Sequence, residues 1–475
     1  MKTSSSKSKT RAVRVTRRET LKGLAAWSSS SLIFWSPLYK TAVYPQAQFP
    51  PTFAQTGDIT FSWSGAMTSS TIRVVAQLSR PSEQVRLVAS LHADLRDPCF
   101  SQLAATLLPT NPTVSLEVTN LAPNRRYYYA LEVDGVIDVR HIGRFRTLPN
   151  GAASFKFACS SCAQTGSNHT VFQAIRQKDP HFFLHMGDLH YEDIATNNQP
   201  LFQAAYKKVW EAPNQTALYR DVPIVYTWDD HDYGGNSSDM TARSRTAARL
   251  AYQTCVPHYP LAAGTGDVPI YQAFTAGRVR LLLTDCRSER HPVSNEDSNQ
   301  KTLLGWPQKE WLKKELLAAK EANMFAIWIN TVPWIDGGRE DGWGQYSTER
   351  HELADFIHNN RIDRLLMVSG DAHMLAIDDG TNNRFTSAPV EKGFPIFHAA
   401  SLDSPPSRKG GPYSHGQIMG RGQYGLVEII DNGGTAVQVR LTGFNEVNIP
   451  QTEYVYEVNM PPRFNLFLPA LRRSS

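Results

Sequence analysis

The chain has 475 residues, 41% hydrophobic and 20% charged, with a formal net charge of +5. That is too long for a single core, since domains usually run ~100–200 residues, and the composition is that of a globular protein. No basic stripe interleaved with aromatics supports specific nucleic-acid binding, and no run of 18 apolar residues offers an ordinary transmembrane helix.

Part of the positive charge lies in the Ser-rich stretch Lys2–Arg18. Within it begins Thr16-Arg17-Arg18-Glu19-Thr20-Leu21-Lys22, which resembles a twin-arginine export signal, with Thr20 where Phe is usual. A weakly apolar stretch, Leu24–Trp35, follows as in a signal peptide. The expectation is export by the twin-arginine machinery to the periplasm, cell surface or exterior. No clean Ala-x-Ala site marks the mature start. Residues 1–50 thus read as signal and linker.

Residues 51–150 read as β throughout. Short alternating segments recur at Asp58–Ser64, Ile72–Leu78, Val85–His92, Thr113–Val118, Arg126–Val133 and His141–Arg146, with turn signals such as Asp134-Gly135 between them. Leu121-Ala122-Pro123-Asn124-Arg125-Arg126-Tyr127-Tyr128-Tyr129 and the closing Gly143–Thr147 resemble the corner and last strand of fibronectin type III-like modules. A small all-β sandwich is expected there, with no chemistry of its own.

From residue 151 to 475 the texture changes. Strand-like runs at Phe155–Cys159, His181–His185, Pro223–Thr227, Val279–Thr284, Met324–Ile329, Leu365–Val368, Pro395–Ala400 and Gly425–Ile430 alternate with helical stretches. Val171–Lys178, Leu201–Trp210, Thr241–Tyr252, Pro307–Lys320 and Ser347–Asn359 carry the helical pattern. Alternating strands and helices imply a layered α/β domain. The five cysteines leave at least one unpaired if disulfides form. Cys159 and Cys162 make a lone CxxC, as readily two small buried residues as a zinc or redox pair.

Polar residues cluster at the exits of the apolar runs. Asp188 follows Gly187, and a glycine there permits the tight turn that aims a carboxylate. Tyr191 lies three residues on, and Cys162 follows the first strand of the domain. Trp228-Asp229-Asp230-His231-Asp232 follows the third, and Ser369-Gly370-Asp371-Ala372-His373 a later one. Spacing by two sets Asp371 and His373 on one side of a locally extended chain. Taken singly, an Asp after Gly is usually a turn or a cap, and a His beside a strand is usually structural. Three carboxylates around one imidazole repel unless cations or hydrogen bonds compensate. Three such clusters, all beyond strands, favour a metal site.

These blocks resemble the metallophosphatases, and more closely the alkaline phosphatase D (PhoD)-like family. The matching elements are Ser161-Cys162, Gly187-Asp188-Leu189-His190-Tyr191-Glu192, Trp228–Asp232 with Asn236, and Ser369–His373, in order over residues 155–430. Weaker matches are Thr284–Arg290, Gln308 with Trp311-Leu312, and Asp341–Tyr346 with Arg350. The resemblance implies a calcineurin-like layered α/β sandwich preceded by a small β-sandwich. It implies that Asp188 bridges two metals ~3.5–4 Å apart. Cys162, Tyr191 and His373 would hold one, with Fe³⁺ implied. Asp230 and Asp371 would serve the other, where oxygen ligands favour Ca²⁺, with Mg²⁺, Mn²⁺ or Zn²⁺ as alternatives.

The same likeness gives His231 a role on the phosphate or the leaving alkoxide, with Asp232 orienting it. Arg287 would clamp phosphate, or else pair structurally with Asp285. Asn236 would touch phosphate or metal. Asn330 is a weak further match, and His185 and His190 read as supporting or structural. The implied activity is hydrolysis of phosphate monoesters or diesters by hydroxide attack at a two-site metal centre. The alternatives are a phospholipase D-like phosphodiesterase acting on phospholipid, or a catalytically inactive surface-binding protein. The oligomeric state stays open.

Overall fold

The computed structural model describes residues 52–54, 57–106, 112–338 and 341–460. The twin-arginine-like motif lies outside the described residues. No helix among them is long and apolar enough to cross a membrane.

Two large sheets carry the fold. The first has nine strands in the order Pro450–Asn459, Ala436–Phe444, Tyr424–Ile430, Phe155–Ser160, Phe183–Met186, Ile224–Thr227, Ile59–Gly65, Ile72–Leu78 and Thr113–Val118. The second has seven, in the order Gln272–Ala276, Val279–Leu283, Phe325–Asn330, Leu365–Ser369, Ile396–Ala399, Met374–Asp378 and Gln417–Met419. At the centre of each sheet the strands are parallel. Those central strands are buried on both faces, which is why they read as unbroken apolar runs.

The period-2 alternation sorts side chains between layers. Phe157 and Cys159 join the core between the sheets, together with Ile327 and Ile329 from the opposite sheet. Ala158 and Phe183 turn outward onto the helical layer formed by Phe172, Tyr206 and Tyr219. Trp328 turns outward on the other side, against Leu312, Leu316 and Leu353. The result is helix, sheet, sheet, helix, the layered sandwich expected from the alternation.

The N-terminal β region has the expected strands, with a second sheet built on Val85–Ser90, Arg126–Val133 and Gly143–Arg146. Its corner is fixed by Tyr127, whose hydroxyl accepts the Ala122 N–H at 2.9 Å. The first nine-stranded sheet runs on into this region: Gly65 is paired in parallel with Ile224.

Two local expectations are corrected. The helix expected from Thr241 starts at Arg245, because Asp239 Oδ1 captures both the backbone N–H and the hydroxyl of Thr241 in a turn. Residues 371–373 form a bend, not an extended step, with Asp371 at φ 69°.

Candidate metal centre

The site lies beyond the C-terminal ends of the parallel strands, where open α/β sheets bind ligands. Phe155–Ser160, Phe183–Met186, Ile224–Thr227 and Leu365–Ser369 lead directly into Cys162, Asp188, Asp229-Asp230 and Asp371. Cys162, Asp188 and Asp371 all adopt positive φ, at 65°, 53° and 69°. Ordinary residues rarely do so. The left-handed turn swings each side chain away from the line of its strand into the shared space.

Two glycines make room. A Cβ on Gly187, itself at φ 90°, would lie 2.3 Å from Asp229 Cβ. One on Gly370 would lie 2.8 Å from Ser161 Oγ and 3.0 Å from the Met186 carbonyl. The sheets are stitched together here: the Asp371 N–H reaches Ser161 Oγ at 3.3 Å, and Thr227 Oγ1 donates to the Thr284 carbonyl at 3.2 Å.

Three overlapping donor groups form, each with its ligand atoms within 4.8 Å of one another: Cys162–Asp188–His373, Asp188–Asp230–His231 and Asp229–Asp230–Asp371. Tyr191 completes the first, its hydroxyl 2.9 Å from Asp188 Oδ2 and 3.4 Å from His373 Nε2. His373 Nδ1 donates to the Pro405 carbonyl, which leaves Nε2 as the lone-pair nitrogen facing the site. Asp188 thus belongs to two groups, one with Cys162 and His373 and one with Asp230 and His231, and Asp230 links the second to the all-carboxylate group. Asp371 and His373 serve different groups, as the bend between them allows.

Four carboxylate oxygens, Asp188 Oδ1, Asp229 Oδ2, Asp230 Oδ1 and Asp371 Oδ2, are buried without a hydrogen-bond partner. An orphaned buried polar atom costs roughly 1–3 kcal/mol, more when charged. Burial and the neighbouring carboxylates push Asp188 well above the ordinary carboxylate range. Burial raises Asp229 to about 7 and Asp371 to about 6. At Asp230 burial opposes ionisation, but the Arg287 guanidinium overcomes it and holds the group low. Burial and Asp188 drive the Cys162 thiol well above its usual range. Cations would reverse these penalties. The donor set therefore fits two of them, one among thiol, phenol and imidazole, the other among carboxylates.

Two sequence-based roles change. Asp232 does not orient His231. Its carboxylate is consumed by the N–H groups of Asp229 at 2.7 Å and Leu189 at 2.9 Å and by the Tyr226 hydroxyl at 2.6 Å. Asp232 is the reciprocal partner of Asp229 in the capping box of the one-turn helix Asp230–Tyr233. The partner of His231 is Asp193, whose Oδ1 lies 2.6 Å from Nδ1.

Arg287 is no phosphate clamp. It is fully buried, with Nε on Asp229 Oδ1 and Nη1 on Asp341 Oδ2, each at 2.5 Å, and Nη2 3.6 Å from Asp230 Oδ1. Nor does its guanidinium pair with Asp285. That carboxylate accepts from Trp228 Nε1, from the N–H groups of Ile270, Arg287 and Ser288, and from the Ser288 hydroxyl.

Asn236 is exposed, its amide on Ser237 Oγ at 3.2 Å. The loop it stands on caps Asp230, through the Ser237 N–H at 2.6 Å. Asn330 is structural: it accepts from Cys286 and Trp343 and donates to the Val332 carbonyl. His185 and His190 are buried against aromatic rings, and burial lowers them to about 3 and about 4.

Asp193, Asp229 and Lys409 escaped the sequence reading as site residues. Only Asp229 had a signal, as the unassigned carboxylate of Asp-Asp-His-Asp.

A model of the PhoD-like phosphatase family matches residues 157–415. Alkaline phosphatase D of Bacillus subtilis (strain 168) is 25% identical over 311 residues, which cover 55% of this chain and 53% of that protein. The chain thus matches about half the length of this curated relative. A solved structure of PhoD is similar in fold, with a TM-score of 0.69 at 18% identity, covering 86% of this chain and 92% of that one. The family match takes in Cys162, Asp188, Tyr191, Asp230, Asp371 and His373 and extends over more than half of the sequence, and the chain belongs to the PhoD-like phosphatase family.

Proposed function

We propose that this protein is a metal-dependent phosphoesterase. The observation that carries the reading is the set of orphaned carboxylate oxygens around Asp188, with Cys162, Tyr191 and His373 gathered on its other side. When bound, two cations supply Lewis acidity to phosphoryl oxygens and a nucleophile from water.

The protein's own groups do the rest. Thiolate, phenolate and imidazole favour a Lewis-acidic transition metal at the first position, for which likeness to the family suggests Fe³⁺, and oxygen donors favour Ca²⁺, Mg²⁺ or Mn²⁺ at the second. Asp193 holds His231 Nδ1, so the other ring nitrogen is free to pass a proton to the departing alkoxide, a step worth ~10²–10⁴-fold. Asn236, exposed on the loop that caps Asp230, offers an amide to the phosphate. The substrates are phosphate monoesters or diesters, phospholipids included. Retention of the whole donor set speaks against an inactive surface-binding protein.

Metal analysis paired with assays on p-nitrophenyl phosphate and bis-p-nitrophenyl phosphate tests this reading. The purified protein is expected to show a visible charge-transfer band from thiolate and phenolate on Fe³⁺, and to turn over at least one ester. A colourless, metal-free preparation inactive on both would sink it.

Export is inferred from Thr16–Lys22. Replacing Arg17 and Arg18 together by lysine is expected to retain a full-length fusion inside the cell. Unchanged export of that variant would refute the twin-arginine route.

A further inference from the structure

Among the described residues, Lys409 is the one lysine or arginine that reaches the centre from the surface. Its Nζ donates to Asp371 Oδ1 at 2.5 Å, while Asp371 Oδ2 has no partner. The centre gathers the carboxylates of Asp188, Asp229, Asp230, Asp341 and Asp371, with Arg287, Arg290 and Lys409 as counter-ions. The two arginines are wholly buried and held by Asp229 and Asp341. The Lys409 side chain keeps 29% of its surface exposed.

The backbone on either side of Lys409 is pinned. Ser407 and His373 exchange two bonds, from the Ser407 N–H to the His373 carbonyl and from the His373 N–H to Ser407 Oγ, each at 3.4 Å. The Gly411 N–H donates to the Ile335 carbonyl at 2.9 Å, and a Cβ on Gly410 would sit 2.0 Å from that same oxygen. A fixed backbone therefore presents a flexible four-carbon stem ending in a point charge, which can change partners where a forked guanidinium would not.

We propose that Lys409 couples cation loading at the carboxylate group to binding of the phosphoryl group. In the metal-free protein its ammonium neutralises Asp371. When substrate arrives the ammonium passes to a phosphoryl oxygen and frees Asp371 Oδ1 for the cation. A carboxylate oxygen cannot serve an ammonium and a metal ion fully at once, and a displaced, half-buried ammonium needs another anion. The two ligands then favour each other's binding by the same factor. This rests on the metal-dependent phosphoesterase reading.

The test uses metal-stripped full-length protein titrated with Mn²⁺ alone, the free ion followed by electron paramagnetic resonance, with and without inorganic phosphate. Without phosphate, Lys409→Met is expected to bind the weaker-held Mn²⁺ about tenfold more tightly than wild type, within the usual range of couplings. Phosphate is expected to strengthen Mn²⁺ binding by a larger factor in wild type than in the variant. If the Met variant fails to fold, Lys409→Gln carries the same expectations. Mn²⁺ binding by the variant that is equal or weaker without phosphate overturns the proposal, as does an equal phosphate factor in both proteins. In either case two Mn²⁺ bound by wild type leave the metal centre standing. Wild type that binds no Mn²⁺ overturns both.

Discussion

Asp188→Asn is expected to lower kcat/KM by about 10³-fold or more, a loss of roughly 4 kcal/mol of transition-state stabilisation. It is also expected to lower the metal content of the purified protein. Asn keeps one carbonyl oxygen and the shape of the side chain, but it cannot offer two anionic oxygens to the two donor groups that flank it. The substitution separates function from folding. Burial and neighbouring acids already oppose the ionised form of Asp188, so a neutral amide relieves that penalty, and the metal-stripped variant is expected to melt no lower than stripped wild type. Steady-state kinetics, metal analysis and a melting curve on one preparation check all three parts. An active variant with its full metal content would refute the bridging role.

The second large effect falls on stability. Arg287→Met removes a buried guanidinium that bonds Asp229 and Asp341 and lies 3.6 Å from Asp230. Breaking a buried ion pair on one side costs about 3–5 kcal/mol, because the other side stays buried and uncompensated. Urea unfolding of metal-stripped protein is expected to show a loss in that range. Arg287→Lys is expected to recover little, since one ammonium cannot span two carboxylates on different chain segments. A loss below about 1 kcal/mol in the Met variant would show that Arg287 is not the counter-ion of the cluster. That outcome would return it to consideration as a group that meets substrate.

The contrast between these residues shows what the sequence could reveal. Asp188, Cys162 and Asp371 stand just past apolar runs, and within each sheet the parallel strands carry such exits to one edge. Strand direction alone brings Cys162 and Asp188 together, while Asp371 joins them from the opposite sheet. Arg287 sits in the same kind of place, past Val279–Leu283, yet its guanidinium points into the acids and not toward substrate. Direction is set by packing between the two sheets, and local pattern does not encode that.

Asp232 misled for a related reason. Adjacent to His231 in sequence, it lies one helical residue on, and the capping geometry turns it toward Asp229 and Leu189. The partner of His231 comes instead from residue 193, on a loop without apolar periodicity. Lys409 is likewise fixed by contacts to residues 36 and 74 positions away, His373 and Ile335, through its neighbours Ser407 and Gly411. The strands Ala436–Phe444 and Pro450–Asn459 were unread because they close an antiparallel edge with one face partly open, where apolar content is diluted.

The left-handed backbone of Cys162, Asp188 and Asp371 has an evolutionary side. Each non-glycine residue held there stores of order 1–3 kcal/mol that a glycine would release. At these three positions the sequence that makes the most durable scaffold and the sequence that binds metal are therefore different sequences. Selection for heat tolerance alone would drift toward small, ligand-free residues at the strand exits. The thiol and two carboxylates at these positions give up scaffold stability for side chains that can hold a cation.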